Sequence, residues 1–365
     1  MKVLIVTRDF PPYLVGGMGI FVSNVSNLLA QKGIEVTVIA PLGDRGSKYE
    51  KLSNNLEIYR VPIIGKYFLT KVPSLMLSSY KLIKNLNYDI IHLFTPVIHK
   101  AIKKDAKIIY HFQSSRYGEF KALKMERKYL YAFLNWLYIP QEKGLAKKSD
   151  KIIAVSENTK KEVLSFIPNH QLDIFILPNG ADINLFHPKR KLPNVEPYIL
   201  FVGRLDERKG VEDLLRAYQM LPKSSEIKLP KLHIVGDGPL YERLRKNYED
   251  INIRFLGRKD NKKDLPQIFA NALLTVVPST YEPCSLVIKE SLASSTPVIT
   301  SDCSPDLNMS QFKTGDYKSL TKTLLFLLKN PSKLKELRKR SRRIAEKYSW
   351  NNITNKLIDI YRKLK

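Results

Sequence analysis

The chain has 365 residues, of which 44% are hydrophobic and 26% charged, and its formal net charge is +26. The length is more than one ordinary core holds and predicts two domains, while the composition excludes disordered and fibrous classes. The charge surplus calls for an anionic partner or a solvated lysine-rich face; it is steepest at residues 313–365, with sixteen Lys/Arg against four Asp/Glu.

The first predicted element is a strand over Val3, Leu4, Ile5 and Val6, an unbroken aliphatic run of the kind found in parallel strands buried on both faces. Arg8 and Asp9 follow after Thr7, so no apolar leader core is expected. Pro11 and Pro12 break the run, and Gly16, Gly17 and Gly19 open a helix in which Phe21, Val25, Leu28 and Leu29 recur at helical spacing. Gly33 ends it, and Val36 to Ile39 makes the next strand, completing a β-α-β unit with glycines at its first turn. Further strands are expected at Ile90 to Leu93, Lys107 to Tyr110 and Lys151 to Val155. Pro178, Pro188, Pro193 and Pro197 mark residues 177–198 as a linker.

The pattern restarts with a strand from Tyr198 to Val202, a polar turn from Gly203 to Gly210 and a helix over 211–221. Strands are expected again at Leu232 to Val235, Ile253 to Leu256, Leu274 to Val277 and Val298 to Thr300. Two α/β domains are therefore predicted, at 1–175 plus 351–365 and at 176–350, with a ligand cleft at the carboxyl ends of their strands. The tail is helical, with Leu334, Leu337, Ile344, Ile353, Leu357, Ile360 and Tyr361 in broken apolar stripes. Cys284 and Cys303 are too few and too far apart for a disulfide framework or a zinc motif. The expectation is a cytoplasmic protein, with peripheral attachment to the inner face of a membrane as an option.

Several residues fit anion and sugar chemistry. Gly17 lies at a helix start, where backbone N–H groups approach an anion closely, although a plain tight turn explains the glycines equally well. Arg204 and Lys209 stand at the lip of a predicted strand and suit a diphosphate; pairing with Asp206 and Glu207 on a surface loop is the alternative. Glu282 and Glu290 are eight residues apart, and Ser285 between them is a plausible helix N-cap. Carboxylates so placed can accept hydrogen bonds from sugar hydroxyls, whereas the helix dipole alone accounts for Glu290 better than for Glu282. His111 falls after a strand, where a structural histidine is the commoner outcome. No Asp-x-Asp occurs, so no metal-bridged diphosphate and no metal cofactor are expected.

In order, these motifs resemble the retaining glycosyltransferases of family 4. The likeness runs from Lys2 to Val6 with Pro11, Pro12, Gly16 and Gly17, through Pro178-Asn179-Gly180-Ala181-Asp182, to Gly203-Arg204-Leu205 with Lys209-Gly210. It continues through Gly236-Asp237-Gly238-Pro239, Gly257-Arg258, Pro278-Ser279, Glu282 with Glu290, Thr296-Pro297-Val298 and Tyr348-Ser349-Trp350. The resemblance implies a GT-B fold, two Rossmann-like domains facing a central cleft, with the last helix crossing back to the N-terminal domain. It implies transfer of a sugar from a nucleotide-diphosphate donor, a UDP- or GDP-sugar, with retained anomeric configuration. Arg204 and Lys209 would bind the diphosphate, Glu290 the ribose, and Glu282 and His111 the transferred sugar. Gly17, Gly257, Arg258 and Leu286 would complete the donor-binding set. The sequence departs from the family at Cys284-Ser285 and Ser294-Ser295, and in the segment after Thr300, where about ten residues of an expected glycine-rich loop are missing.

The acceptor is less defined. Residues 100–128 carry nine Lys/Arg against three acidic residues, and the uncharged aromatic run 129–141 follows. This suits a lipid-linked or glycan acceptor at an anionic membrane, and it suits a helix buried in the domain equally well. A nucleic-acid-binding protein would draw on the charge alone, since no recognition motif accompanies it, and no nucleic-acid partner is expected. A partner subunit with the same fold and weak or no turnover is the other alternative.

Overall fold

A computed structural model describes the chain except residues 14–15, 44–46, 65–67, 168–173, 191, 194, 223–228, 305–306, 308 and 365, and the side chains of 68–70. The chain forms two compact units, Met1–Asn179 with Trp350–Lys365, and Gly180–Ser349.

The first unit begins with β1 (Lys2–Val6), α1 (Gly17–Gln31) and β2 (Glu35–Pro41). An edge hairpin of β3 (Tyr49–Ser53) and β4 (Leu56–Val61) comes next, then α2 (Phe68–Asn85), β5 (Ile90–Leu93) and β6 (Lys107–Phe112). Three short helices, α3 (Arg116–Met125), α4 (Tyr129–Trp136) and α5 (Ile139–Lys147), precede β7 (Lys151–Ala154), α6 (Glu157–Phe166) and β8 (Ile174–Ile176). The sheet order is β3-β4-β2-β1-β5-β6-β7-β8, and only the β3–β4 pair is antiparallel. The chain therefore winds outward in both directions from β1, and the order reverses between β1 and β5. Leu4, Val6, Ile91, Leu93, Tyr110 and Phe112 fill one face of the sheet. The alternate residues, His92 and His111 among them, point to the opposite face and are also buried.

The second unit contains β9 (Tyr198–Val202), α7 (Val211–Gln219), β10 (Lys231–Val235), α8 (Tyr241–Tyr248) and β11 (Ile253–Phe255). It continues with α9 (Leu265–Asn271), β12 (Leu274–Val277), α10 (Leu286–Ala293), β13 (Val298–Ser301), β14 (Ser310–Phe312), α11 (Tyr317–Lys329) and α12 (Pro331–Lys347). All pairings are parallel, in the order β11-β10-β9-β12-β13-β14. Ile199 and Phe201 of β9 enter the core on one side, and Tyr198 and Leu200 enter the core on the other. Both faces are thus covered by helices, which is why the strands read as continuous apolar runs. This is the doubly wound Rossmann arrangement, with its reversal between β9 and β12.

The chain closes with α13 (Trp350–Arg362), which belongs to the first unit. Trp350 lies edge-on to Phe21 of α1, with ring centroids 5.9 Å apart.

Two expectations change. Most of the residues read as a linker, from Gly180 on, belong to the second unit: Phe186 packs on Phe269, and Ala181 bridges to Ser349. Arg342 fixes this segment by donating from one guanidinium nitrogen to the carbonyls of Ile183, Phe186 and Ala293. Part of the basic tail is therefore structural, since Arg338 likewise donates to the carbonyls of Ala272 and Leu273 near the end of α9. The segment after Thr300 leads from β13 to β14, which pairs with it in parallel. Asp302 accepts from the backbone and hydroxyl of Thr314, and Ser301 donates its hydroxyl to the Ser279 carbonyl.

Candidate functional site

Ligands of doubly wound sheets bind where the strand order reverses, at the carboxyl ends of the strands. In the second unit that point lies between β9 and β12, and it is where the loops carrying Arg204, Lys209 and Glu282 emerge. Gly210 closes the first loop with φ +63°, and a Cβ there would stand 2.0 Å from the Pro278 carbonyl oxygen of the second. Only glycine lets the two loops approach this closely. Thr280 then donates its N–H to the Arg208 carbonyl at 2.9 Å.

With the loops in register, the Lys209 ammonium lies 2.6 Å from the Glu282 carboxylate, and the Ser279 hydroxyl donates to the same oxygen at 3.1 Å. Burial would push the Glu282 carboxyl up, but Lys209, Ser279 and Arg208 outweigh it and hold the carboxyl below its ordinary range. Asp206 caps the turn by accepting from the Lys209 N–H, and it lies 3.5 Å from Arg204. Arg204 nevertheless keeps 68% of its side chain exposed, so a surface pair of that length leaves it available to an anion. Of the alternative in which Asp206 and Glu207 pair the two cations, Asp206 does lie against Arg204, whereas Lys209 pairs with Glu282, a partner that sequence spacing did not indicate.

Helix α10 starts as expected: the Ser285 hydroxyl accepts from the Ile288 N–H. Leu286 is its first residue, and Glu290 falls in its second turn. Glu290 is partly accessible, has no hydrogen-bond partner for its carboxylate among the described residues, and burial raises its carboxyl to about 7. Lys289 turns inward instead, donating to the Cys284 sulfur at 3.0 Å. Gly257 and Arg258 follow β11; the Gly257 carbonyl accepts from Gly236, and Arg258 is exposed. Among the described residues no group of three or more His, Cys, Asp or Glu side chains is arranged to hold a metal ion.

The first unit supplies different groups. Gly17 is the first residue of α1, but the helix N-terminus already faces a carboxylate, because Asp9 accepts from Gly16 and Gly19 at 2.8 and 3.2 Å. Asp9 was not among the expected residues, and its charge competes with any phosphate at this turn. His111 lies within β6 rather than beyond it and is 1% exposed. Burial and then the neighbouring His92 hold it well below the ordinary histidine range, so it is neutral. The carboxylate of Asp9 at this turn was not foreseen, nor were the bonds of Ser279 to Glu282 and of His92 to His111; Asp206, three residues before Lys209, offered a capping signal in the sequence.

The aromatic run 129–141 does not form the buried helix that was one of its two readings. Met125, Tyr129, Leu130, Tyr131, Phe133, Trp136 and Leu137 are 79, 63, 67, 53, 52, 51 and 43% exposed. Lys121, Lys124 and Arg127 beside them are exposed as well. No helix among the described residues is long and apolar enough to cross a membrane.

Comparison with known proteins bears on the family and the fold. Residues 182–347 match the family model described as glycosyl transferases group 1, and residues 15–185 match that of glycosyltransferase family 4. An uncharacterized glycosyltransferase of Methanocaldococcus jannaschii is 28% identical over 99% of this chain and 98% of its own. Sucrose-phosphate synthase from Thermosynechococcus elongatus superposes with a TM-score of 0.80 at 21% identity, over 100% of this chain and 98% of its own. HepE of Anabaena, solved with UDP and glucose, gives a TM-score of 0.70 at 16% identity over the whole of both chains.

Proposed function

The chain belongs to the family 4, group 1 glycosyltransferases, of GT-B fold, and we propose that it moves a sugar from a nucleotide-diphosphate donor to a glycan or glycolipid acceptor with retained anomeric configuration. The observation that carries this reading is the Lys209–Glu282 pair at the reversal point of the second sheet, with Arg204 exposed beside it and Glu290 in the helix that follows. Arg204 and Lys209 bind the diphosphate and neutralise the charge that grows on the departing oxygen, a stabilisation that is large where water is excluded. Glu290 accepts from the ribose hydroxyls. Glu282 faces the transferred sugar, and His111 makes a hydrogen bond to it. Gly17, Gly257, Arg258 and Leu286 complete the donor contacts. The C1–O bond to the diphosphate breaks as the acceptor oxygen bonds to C1 from the same face. The acceptor proton passes to the departing phosphate, and the nucleoside diphosphate leaves. Two cations and backbone N–H groups replace a metal ion in this scheme. The UDP and glucose held by the Anabaena protein make a UDP-sugar the first donor to test, and a GDP-sugar the second.

Thermal shift against UDP-, GDP- and ADP-sugars tests the donor site, because a ligand selective for the native state raises its stability. Failure of every nucleotide sugar to raise the melting temperature would sink the reading. Loss of turnover in Lys209→Ala separates a transferase from a partner subunit, whose biological role would survive that change.

For the acceptor, the exposed apolar side chains of α3 and α4 beside Lys121, Lys124 and Arg127 favour a peripheral site on an anionic membrane. The protein should then sediment with phosphatidylcholine vesicles containing phosphatidylglycerol, and Leu130→Glu with Phe133→Glu should abolish this. Equal sedimentation of the double variant would remove the membrane from the reading.

A further inference from the structure

Three buried side chains of the first unit form a chain of which only His111 takes part in the donor chemistry proposed above. The His92 Nδ1 lies 2.7 Å from the Tyr361 hydroxyl oxygen of α13, and its Nε2 lies 3.2 Å from the His111 Nδ1. The His111 Nε2 lies 3.3 Å from the side-chain nitrogen of Gln113. His92 and Tyr361 are fully buried, and His111 nearly so. Phe21 and Phe94 pack on the His111 ring with centroids 5.1 and 4.7 Å away, and Phe94 stacks on His92 at 4.5 Å. Burial pushes His92 down to about 3, and His111 is lowered too, so each ring carries one N–H.

Only two proton arrangements then satisfy the chain. In one, Tyr361 donates to His92 Nδ1, His92 donates from Nε2 to His111 Nδ1, and His111 keeps its proton on Nε2. In the other every bond reverses, and Tyr361 must accept from His92. Its own hydroxyl proton would then need a second acceptor, and none stands within reach among the described residues. A buried hydroxyl left without an acceptor bears its full desolvation penalty. The first arrangement carries no such penalty. It asks only that the Gln113 amide present its oxygen to His111, a half-turn that interchanges two nearly isosteric groups, or that a ligand oxygen take that position.

We propose that Tyr361 and His92 are positioning residues that fix the tautomer of His111, so that His111 offers Nε2–H as a donor to an oxygen of the bound sugar. The last helix thus does more than pack on α1: it delivers the phenol that sets the proton of a histidine two strands into the sheet. This rests on the sugar contact assigned to His111 above, yet its proton arrangement can be observed without any substrate.

Full-length protein labelled with 15N at histidine, studied by long-range proton–nitrogen correlation, reports the tautomers directly. The wild type should show His92 and His111 protonated on Nε2 and bare on Nδ1. Tyr361→Phe keeps the ring packing and removes the donor, so both rings should shift towards mixed tautomers. Turnover should fall about twofold if the two tautomers become equally populated and about tenfold if the population inverts. The donor KM should move less than kcat, as for an interaction made in the transition state. A wild-type His111 protonated on Nδ1 overturns the proposal, and that spectrum is decisive even if the variant fails to fold. A Tyr361→Phe protein with unchanged histidine resonances overturns it as well. Full turnover in His111→Ala would instead sink the sugar contact while leaving the tautomer result intact, so the two failures are distinguishable.

Discussion

Replacing Lys209 by Met tests both the electrostatics and the chemistry of the donor site. The substitution keeps an unbranched side chain one atom shorter and removes the ammonium 2.6 Å from Glu282. Glu282 is 8% exposed, so its carboxylate is left in a poorly solvated position with only the Ser279 hydroxyl and the Arg208 charge to hold it. Breaking a buried pair costs about 3–5 kcal/mol; Lys209 is 25% exposed, which places the expectation near the lower bound. For a unit the size of Gly180–Ser349 this corresponds to a fall in Tm of about 6–12 °C near pH 8. The pH dependence should change sign. In the wild type the lowered Glu282 carboxyl stabilises above the unfolded pKa, and that stability is lost as pH falls through the folded value. Without Lys209, burial raises the carboxyl, the folded state favours the protonated form, and stability is lost as pH rises. Scanning calorimetry from pH 5 to 8.5 should therefore show the variant closest to wild type at the acid end. Adding Glu282→Gln should recover much of the loss at pH 8 and none of the turnover. A Tm deficit that is the same at every pH, or a double variant no more stable than Lys209→Met, would refute the reasoning.

Three further outcomes are expected of other buried groups and of one tight glycine. Glu290, raised to about 7 by burial, accepts from two ribose hydroxyls with both oxygens, and more strongly, once ionised, so nucleotide affinity measured calorimetrically should rise between pH 6 and 8 and become flat in Glu290→Gln. Glu142 is likewise raised to about 7, chiefly by burial, against the lowering effect of Arg116. It favours folding at low pH and loses ~3 kcal/mol of stability as pH climbs to that value; Glu142→Gln should remove this slope from chemical denaturation curves. In Gly236→Ala, where φ is +138° and the new Cβ would stand 1.8 Å from the Gly203 carbonyl oxygen, backbone must move. A loss of at least about 3 kcal/mol, or no soluble protein, is expected; wild-type stability would mean that the two loops are not packed as described.

The sequence by itself determined β1, β2, β5 to β7 and β9 to β13, because a parallel strand covered on both faces reads as a largely apolar run; β8 and β14, three residues each, were not foreseen. Ile90 to Leu93, Tyr198 to Val202 and Leu274 to Val277 coincide with β5, β9 and β12. The cap at Ser285 was legible for a similar reason, since the capping bond spans only three residues. The β3–β4 hairpin was not, because Tyr49–Ser53 is largely exposed and carries little apolar signal. Tertiary structure alone decided the rest. Lys209 meets Glu282 across 73 positions because Gly210 lets one loop rest on Pro278, and His92 meets Tyr361 across 269 because α13 returns to the first unit. The aromatic run after Lys128 has the same composition whether covered or bare; only the packing of α3 and α4 leaves its rings exposed. Local periodicity records which faces are apolar, whereas ion pairs and proton relays depend on which distant segments the completed sheets bring into contact.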